Sequence, residues 1–218
     1  MRLNTVIFDM DGLLIDSEPC WQEAGMETLL QFNVTLTPVQ YHHTTGLRTR
    51  EWLDYWFGHF SIGKERIPAA EAALHQHVIE KIRTTANPLP GVGEIISFFK
   101  AHHFRIGLAT SSPLALVNVV VEKLGIQNEF QAVASAEHLP YGKPHPQVYM
   151  DCAEALAVSP IQCLAFEDSF NGVIAAKAAR MTCVAVPVHD QAHLPKWGAA
   201  DLRLGSLLEF TETHLSAL

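Results

Sequence analysis

A chain of 218 residues, 48% of them hydrophobic, is long enough for one buried α/β core with a smaller appended unit. A formal charge of −8 with no dense Lys/Arg run excludes a surface that tracks a phosphate backbone, so no nucleic-acid partner is expected. No apolar stretch nears the roughly 20 residues that span a bilayer, and the four cysteines are too scattered for a metal or redox pair; the expectation is a cytoplasmic monomer with reduced thiols and no membrane partner.

In chain order, the first short apolar run covers residues 6–8 and ends in Asp9-Met10-Asp11-Gly12. Residues two apart on a strand share a face, so both carboxylates can project to one side of the strand end, and Gly12 lets the chain turn away. Two close carboxylates repel, which calls for a cation or a shared proton. From residue 19 to about residue 88 the strand rhythm disappears. This stretch reads as helices with breaks at Gly46, Gly58 and Gly63, and its Trp52-Leu53-Asp54-Tyr55-Trp56-Phe57 run reads as packing. Within it, the loop Thr44-Thr45-Gly46-Leu47-Arg48-Thr49 pairs a glycine that permits close backbone approach with an arginine able to bind hydroxyls or phosphate; a solvated surface Arg48 is equally compatible with the sequence. Trp21 suits either an apolar wall for a sugar ring or an ordinary helix core. Asn87-Pro88-Leu89-Pro90-Gly91 is a stiff boundary able to act as a hinge.

Beyond that boundary apolar runs return at 106–109, 132–134, 163–166 and 182–186, alternating with helical patterns. Leu114, Val117, Val121 and Leu124 predict a helix stopped by Gly125, and Pro146 opens another with Val148, Cys152, Ala155 and Leu156 buried. The alternation predicts a parallel sheet covered on both faces, in which ligands bind beyond the carboxyl ends of the strands. Thr110-Ser111-Ser112 follows the second run with hydroxyls and free N–H groups suited to an anion, Lys143 sits between backbone-stiffening residues in Tyr141-Gly142-Lys143-Pro144-His145-Pro146, and Glu167-Asp168-Ser169 follows the fourth. Taken singly, each has a plain explanation, such as a helix cap or a surface lysine. Together they supply a nucleophile, an acid/base, an anion cradle and hard oxygen ligands.

These motifs, in this order, resemble the haloacid dehalogenase superfamily, in the branch with a helical cap inserted after the first strand. The resemblance implies an α/β fold: a Rossmann-like core with a parallel sheet over 1–14 and 89–218, and a helical cap over 15–88. It implies Asp9 as nucleophile, Asp11 as acid/base, Thr110, Ser111 and Lys143 as phosphate binders, and Mg²⁺ held by Asp9, Asp11 through its backbone carbonyl, and Asp168, with Glu167 ligating directly or through water. Trp21, Gly46 and Arg48 become candidate substrate contacts, since selectivity for the organic group falls to the cap. The stretch DMDGLLIDSE, Lys143-Pro144 and Glu167-Asp168-Ser169 are similar to β-phosphoglucomutases and bacterial sugar phosphatases, and Asp16-Ser17-Glu18-Pro19 followed by Trp21 resembles most the 2-deoxyglucose-6-phosphate and hexitol phosphatase group, which acts on small phosphorylated metabolites. β-Phosphoglucomutases carry histidine where this chain has Trp21, which weighs against a mutase. The same motifs would also suit a phosphoglycolate-type phosphatase with a smaller anionic substrate. A non-catalytic phosphate-binding protein is disfavoured, because no catalytic motif is missing.

Overall fold

The computed structural model describes residues 2–44 and 47–218. Strand β1 (Thr5–Phe8) leads into four helices, α1 (Glu18–Leu30), α2 (Pro38–His43), α3 (Thr49–His59) and α4 (Ile67–Thr84), and then α5 (Val92–Ala101) returns the chain to β2 (Arg105–Thr110). After it come α6 (Leu114–Leu124), β3 (Ala132–Ser135), α7 (Gln147–Ala155), β4 (Cys163–Glu167), α8 (Phe170–Ala178), β5 (Thr182–Ala185), β6 (Leu202–Arg203) and α9 (Glu212–Ala217). The six strands form one sheet in the order β3-β2-β1-β4-β5-β6, and every pairing is parallel. The chain winds outward from β1 to β3 on one side and restarts beside β1 with β4 on the other. The switch point therefore lies at the carboxyl ends of β1, β2 and β4, where such sheets bind ligands.

Central strands buried on both faces need unbroken apolar runs, and Val6, Ile7 and Phe8 have no exposed surface. On one face Phe8, Phe99, Phe166 and Phe210 form a cluster with ring centroids 5.1 to 6.0 Å apart. Truncating a ring at its centre, such as Phe99, costs about 3–5 kcal/mol. The other face uses small residues: a Cβ on Gly107 would meet Cys152 Sγ at 2.6 Å, so the glycine is what allows α7 to pack close to β2.

The helical segment packs α1 and α3 against α4, with Trp52, Leu53, Trp56 and Phe57 buried as the aromatic run predicts. The chain enters and leaves it at adjacent points. Ile15 bridges Pro88, Asp16 N–H donates to Asn87 O at 2.9 Å, and Leu89 N–H donates to Leu14 O at 3.1 Å. Among the described residues no helix is long and apolar enough to cross a membrane.

Two local expectations change, and one strand was not expected. Gly58 does not break a helix; it lies inside α3 with open space around it, and the chain turns two residues beyond the helix end, at Ser61, whose φ is 55°. Ala155 is exposed, because the buried face of α7 is centred on Val148, Tyr149, Cys152, Ala153 and Leu156, round the helix from it. Strand β6, two residues long, is too short to leave a periodic signal. Gly46 lies outside the described residues.

Candidate active site

Four chain segments deliver charged or hydroxyl groups to the switch point. Asp9 follows β1, Thr110 ends β2, Glu167 ends β4, and Lys143 stands on the loop before α7. Lys143 Nζ donates to Asp9 Oδ1 at 2.8 Å, to Glu167 Oε1 at 2.6 Å and to the Ala109 carbonyl at 3.1 Å, which uses all three of its hydrogens. Its side chain is 3% exposed and that of Glu167 0%. Burial works against the ammonium, but the two carboxylates outweigh it and hold Lys143 above its ordinary pKa. Removing the lysine would leave two buried acids facing one another, a loss of about 3–5 kcal/mol for breaking such a pair.

Burial, and next the charge of Glu167, push Asp9 up to about 7 against the pull of Lys143. Burial, Asp9 and Glu167 drive Asp168 well above the usual carboxylate range. In both groups burial is the larger cause and the neighbouring acids add to it. Asp9, Glu167 and Asp168 each present an oxygen within 4.8 Å of the others, and Asp168 Oδ1 is buried with no hydrogen-bond partner. Gly12, at φ +73°, makes room for this cluster, since a Cβ there would collide with the Asp168 carboxylate. An all-oxygen donor set with a partnerless buried oxygen fits a hard divalent cation.

Glu167 differs from the other two acids. Its Oε1 accepts from Lys143 and from Tyr149 Oη at 2.6 Å, and its Oε2 accepts from Ser169 N at 3.3 Å and Ser169 Oγ at 3.0 Å. A Cβ on Gly172 would collide with it. Ser169 also caps α8, accepting from Gly172 N–H at 3.0 Å, so the plain reading of this motif as a helix cap holds for the serine.

Asp11 is gripped by three donors: Ser17 Oγ at 2.6 Å and Trp21 Nε1 at 2.9 Å to Oδ1, and Ser112 Oγ at 2.7 Å to Oδ2. Trp21 therefore reaches the site through its N–H as well as its ring face. Ser17 sits where a helix cap belongs, yet makes no capping bond, because its hydroxyl is turned to Asp11. Reading the sequence alone assigned Ser17 and Tyr149 no role and placed Ser112 with the anion-binding hydroxyls, whereas its hydroxyl holds Asp11.

Thr110 is buried, with its Oγ1 accepting from Ser112 N–H at 3.0 Å. Together with Asp9, Asp11, Ser111, Lys143 and Asp168 it forms the floor of a cavity of about 130 Å³. The opposite wall comes from the helical segment: Glu18, Trp21, Tyr41, Thr44, Trp52 and Leu74. Arg48 also borders the cavity, but its guanidinium donates to Glu51 and to the carbonyls of Ala136, Leu139 and Pro140.

The chain is similar to known proteins. The family model for haloacid dehalogenase-like hydrolases matches residues 6–186. Hexitol phosphatase B of Escherichia coli strain K12 is 41% identical over 216 residues, covering 98% of this chain and 97% of its own. A fructose-1-phosphate phosphatase of the same strain is 30% identical over 194 residues, covering 85% and 97%. The crystal structure of CbbY from Rhodobacter sphaeroides in complex with phosphate superposes with a TM-score of 0.89 at 24% identity, over 99% of this chain and 100% of that one, and so shares the fold. The chain belongs to the haloacid dehalogenase-like hydrolases.

Proposed function

We propose that this enzyme hydrolyses phosphate monoesters of small sugars and sugar alcohols, hexitol phosphates and 2-deoxyhexose 6-phosphates foremost, through an aspartyl phosphate on Asp9. The observation that carries this reading is the Lys143 ammonium fixed between Asp9 and Glu167, beside the partnerless Asp168 oxygen, on a cavity that Trp21, Tyr41 and Trp52 line from the helical segment. Similarity to hexitol phosphatase B over nearly the whole chain supports the substrate class.

In the first step an Asp9 oxygen attacks phosphorus, the bond from phosphorus to the ester oxygen breaks, and Asp11 donates a proton to the departing alkoxide. In the second, Asp11 accepts a proton from water as that water attacks phosphorus, releasing inorganic phosphate and restoring Asp9. Lys143, the Thr110 hydroxyl and the Ser111 N–H hold the non-bridging oxygens, where charge is concentrated in the transition state. Ser17, Trp21 and Ser112 orient Asp11. Mg²⁺, bound by the carboxylates of Asp9 and Asp168 and the Asp11 carbonyl, would offset the repulsion between carboxylate and phosphate. Glu167, with four hydrogen bonds already on its oxygens, serves by anchoring Lys143 and not as a direct ligand. Residues 15–88 act as the cap that shields the site and reads the organic group.

A phosphomutase must hold a second phosphate. Among the described residues the cations bordering the cavity are Lys143 and Arg48, and the Arg48 guanidinium is engaged elsewhere, which favours an uncharged leaving group. The test is a phosphate-release screen over hexitol, hexose, 2-deoxyhexose and glycolate phosphates, with and without Mg²⁺, alongside isomerisation of glucose 1-phosphate. Mg²⁺-dependent release from polyol and sugar phosphates is expected. Isomerisation faster than hydrolysis would reject the reading.

A further inference from the structure

We propose that Arg48 is a positioning residue: it clasps the helical cap to the core and braces the loop from which Lys143 reaches the site. The inference rests on the hydrolytic reading only for its kinetic consequence. Arg48 precedes α3, and its side chain leaves the helical segment for the stretch after β3. Nη1 donates to Ala136 O at 3.0 Å and Leu139 O at 2.6 Å, and Nη2 to Pro140 O at 3.3 Å. On its own side, Nε and Nη2 donate to Glu51 Oε1 at 3.1 and 2.7 Å, while Glu51 Oε2 accepts from the Arg48 backbone N–H at 3.3 Å. The guanidinium thus has its charge balanced within the cap and its remaining donors spent on core carbonyls. Only a planar fork of five N–H groups can satisfy this set at once; a lysine ammonium cannot.

The loop is built to receive it. A Cβ on Gly142 would meet Arg48 Cδ and Nε at 2.6 Å and Cγ at 2.7 Å, so the arginine stem lies flat across a backbone with no side chain in the way. Gly142 N–H lies 3.5 Å from Glu51 Oε1. The next residue is Lys143, whose ammonium holds Asp9 and Glu167. The arginine side chain is 14% exposed and its bonds to Ala136 and Leu139 are partly shielded from water, while the bond to Pro140 is exposed. Pivoting the cap about the paired connections at 14–16 and 87–89 must break them. Cap closure and lysine placement are therefore coupled through one side chain.

The experiment compares R48A, R48K and G142A with the wild type. In G142A the arginine is retained but its seat is blocked. Hydrogen exchange of the ligand-free proteins should speed up by about tenfold across 136–143 and at the start of α3 in all three variants, the effect of losing one to two shielded hydrogen bonds. Wild-type exchange in R48A and R48K would overturn the proposal, and so would wild-type exchange in G142A. In turnover, KM for a hexitol phosphate should rise, and kcat for the small substrate acetyl phosphate should fall, because Lys143 is less well placed. A rise in KM for hexitol phosphate alone, with exchange unchanged, would identify Arg48 as a substrate ligand and also overturn the proposal. If the wild-type enzyme hydrolysed no phosphate ester, the function proposed above would fail, while the exchange data would still decide the clasp.

Discussion

The two walls of the cavity are built on different principles. At the strand ends the charged groups are tied into a network that leaves one acid open: one lysine spans two acids, Glu167 carries four hydrogen bonds, three hydroxyl or indole donors hold Asp11, and Asp168 Oδ1 is buried without a partner. Across the cavity the wall sets Trp21, Tyr41 and Trp52 among Glu18, Thr44, Leu47 and Leu74, and its Trp52 Nε1 is buried without a partner. The floor is specified by charge, whereas the wall is specified by shape and can be retuned.

The sharpest break in this contrast is Asp9→Asn on the floor, which should lower phosphate release by about a thousandfold or more while leaving the circular dichroism spectrum unchanged. Turnover within tenfold of wild type would remove Asp9 from covalent chemistry.

A second test uses the excess acidity of the floor. Asp9 is raised to about 7 by burial and Glu167, so its protonated form favours the metal-free fold; that contribution is complete below the ordinary carboxylate pKa of 3.8 and is lost as pH rises through 7. Asp168 is raised too and acts in the same direction. Mg²⁺ requires the ionised acids, so saturating Mg²⁺ should raise Tm by roughly 5–10 °C at pH 8 and hardly at all at pH 5. Asp168→Asn should abolish the shift. An equal shift at both pH values would place the cation elsewhere.

Between floor and wall stands Trp21. Trp21→Phe keeps the ring but removes the bond to Asp11, and should cut kcat by about tenfold for every substrate, with KM little changed. The smallest effect belongs to the wall. Trp52→Phe should raise KM for hexitol phosphates by roughly threefold to tenfold and leave an aryl phosphate unaffected. Uniform loss across substrates would mean that the wall is not selective.

The same contrast explains which parts of the site were readable in the sequence. A parallel sheet gathers its strand ends, so Asp9, Thr110 and Asp168 could be brought together from their positions after apolar runs alone. Glu167 and Asp168 look equivalent as neighbours in sequence, yet successive residues point to opposite sides, and one met Lys143 and Tyr149 while the other kept an oxygen free. The helical wall lacks such a rule. Trp21 and Arg48 were recognisable as aromatic and polar candidates, but the bond of Trp21 to Asp11 depends on how α1 leaves the acidic motif, and the partners of Arg48 lie 88 to 92 residues away. The break expected at Gly58 failed because a lone glycine lowers helix propensity by only about 1 kcal/mol, less than the packing of Trp52, Leu53, Trp56 and Phe57 supplies.

The side-by-side entry and exit of the helical segment, joined by the Ile15 bridge to Pro88, carries an evolutionary consequence. A cassette whose two ends meet at one doorway can be exchanged for another of different length or shape without shifting any strand of the sheet. Descendants of such a scaffold can acquire new substrates by replacing the insert, while the reactive acids stay where they are.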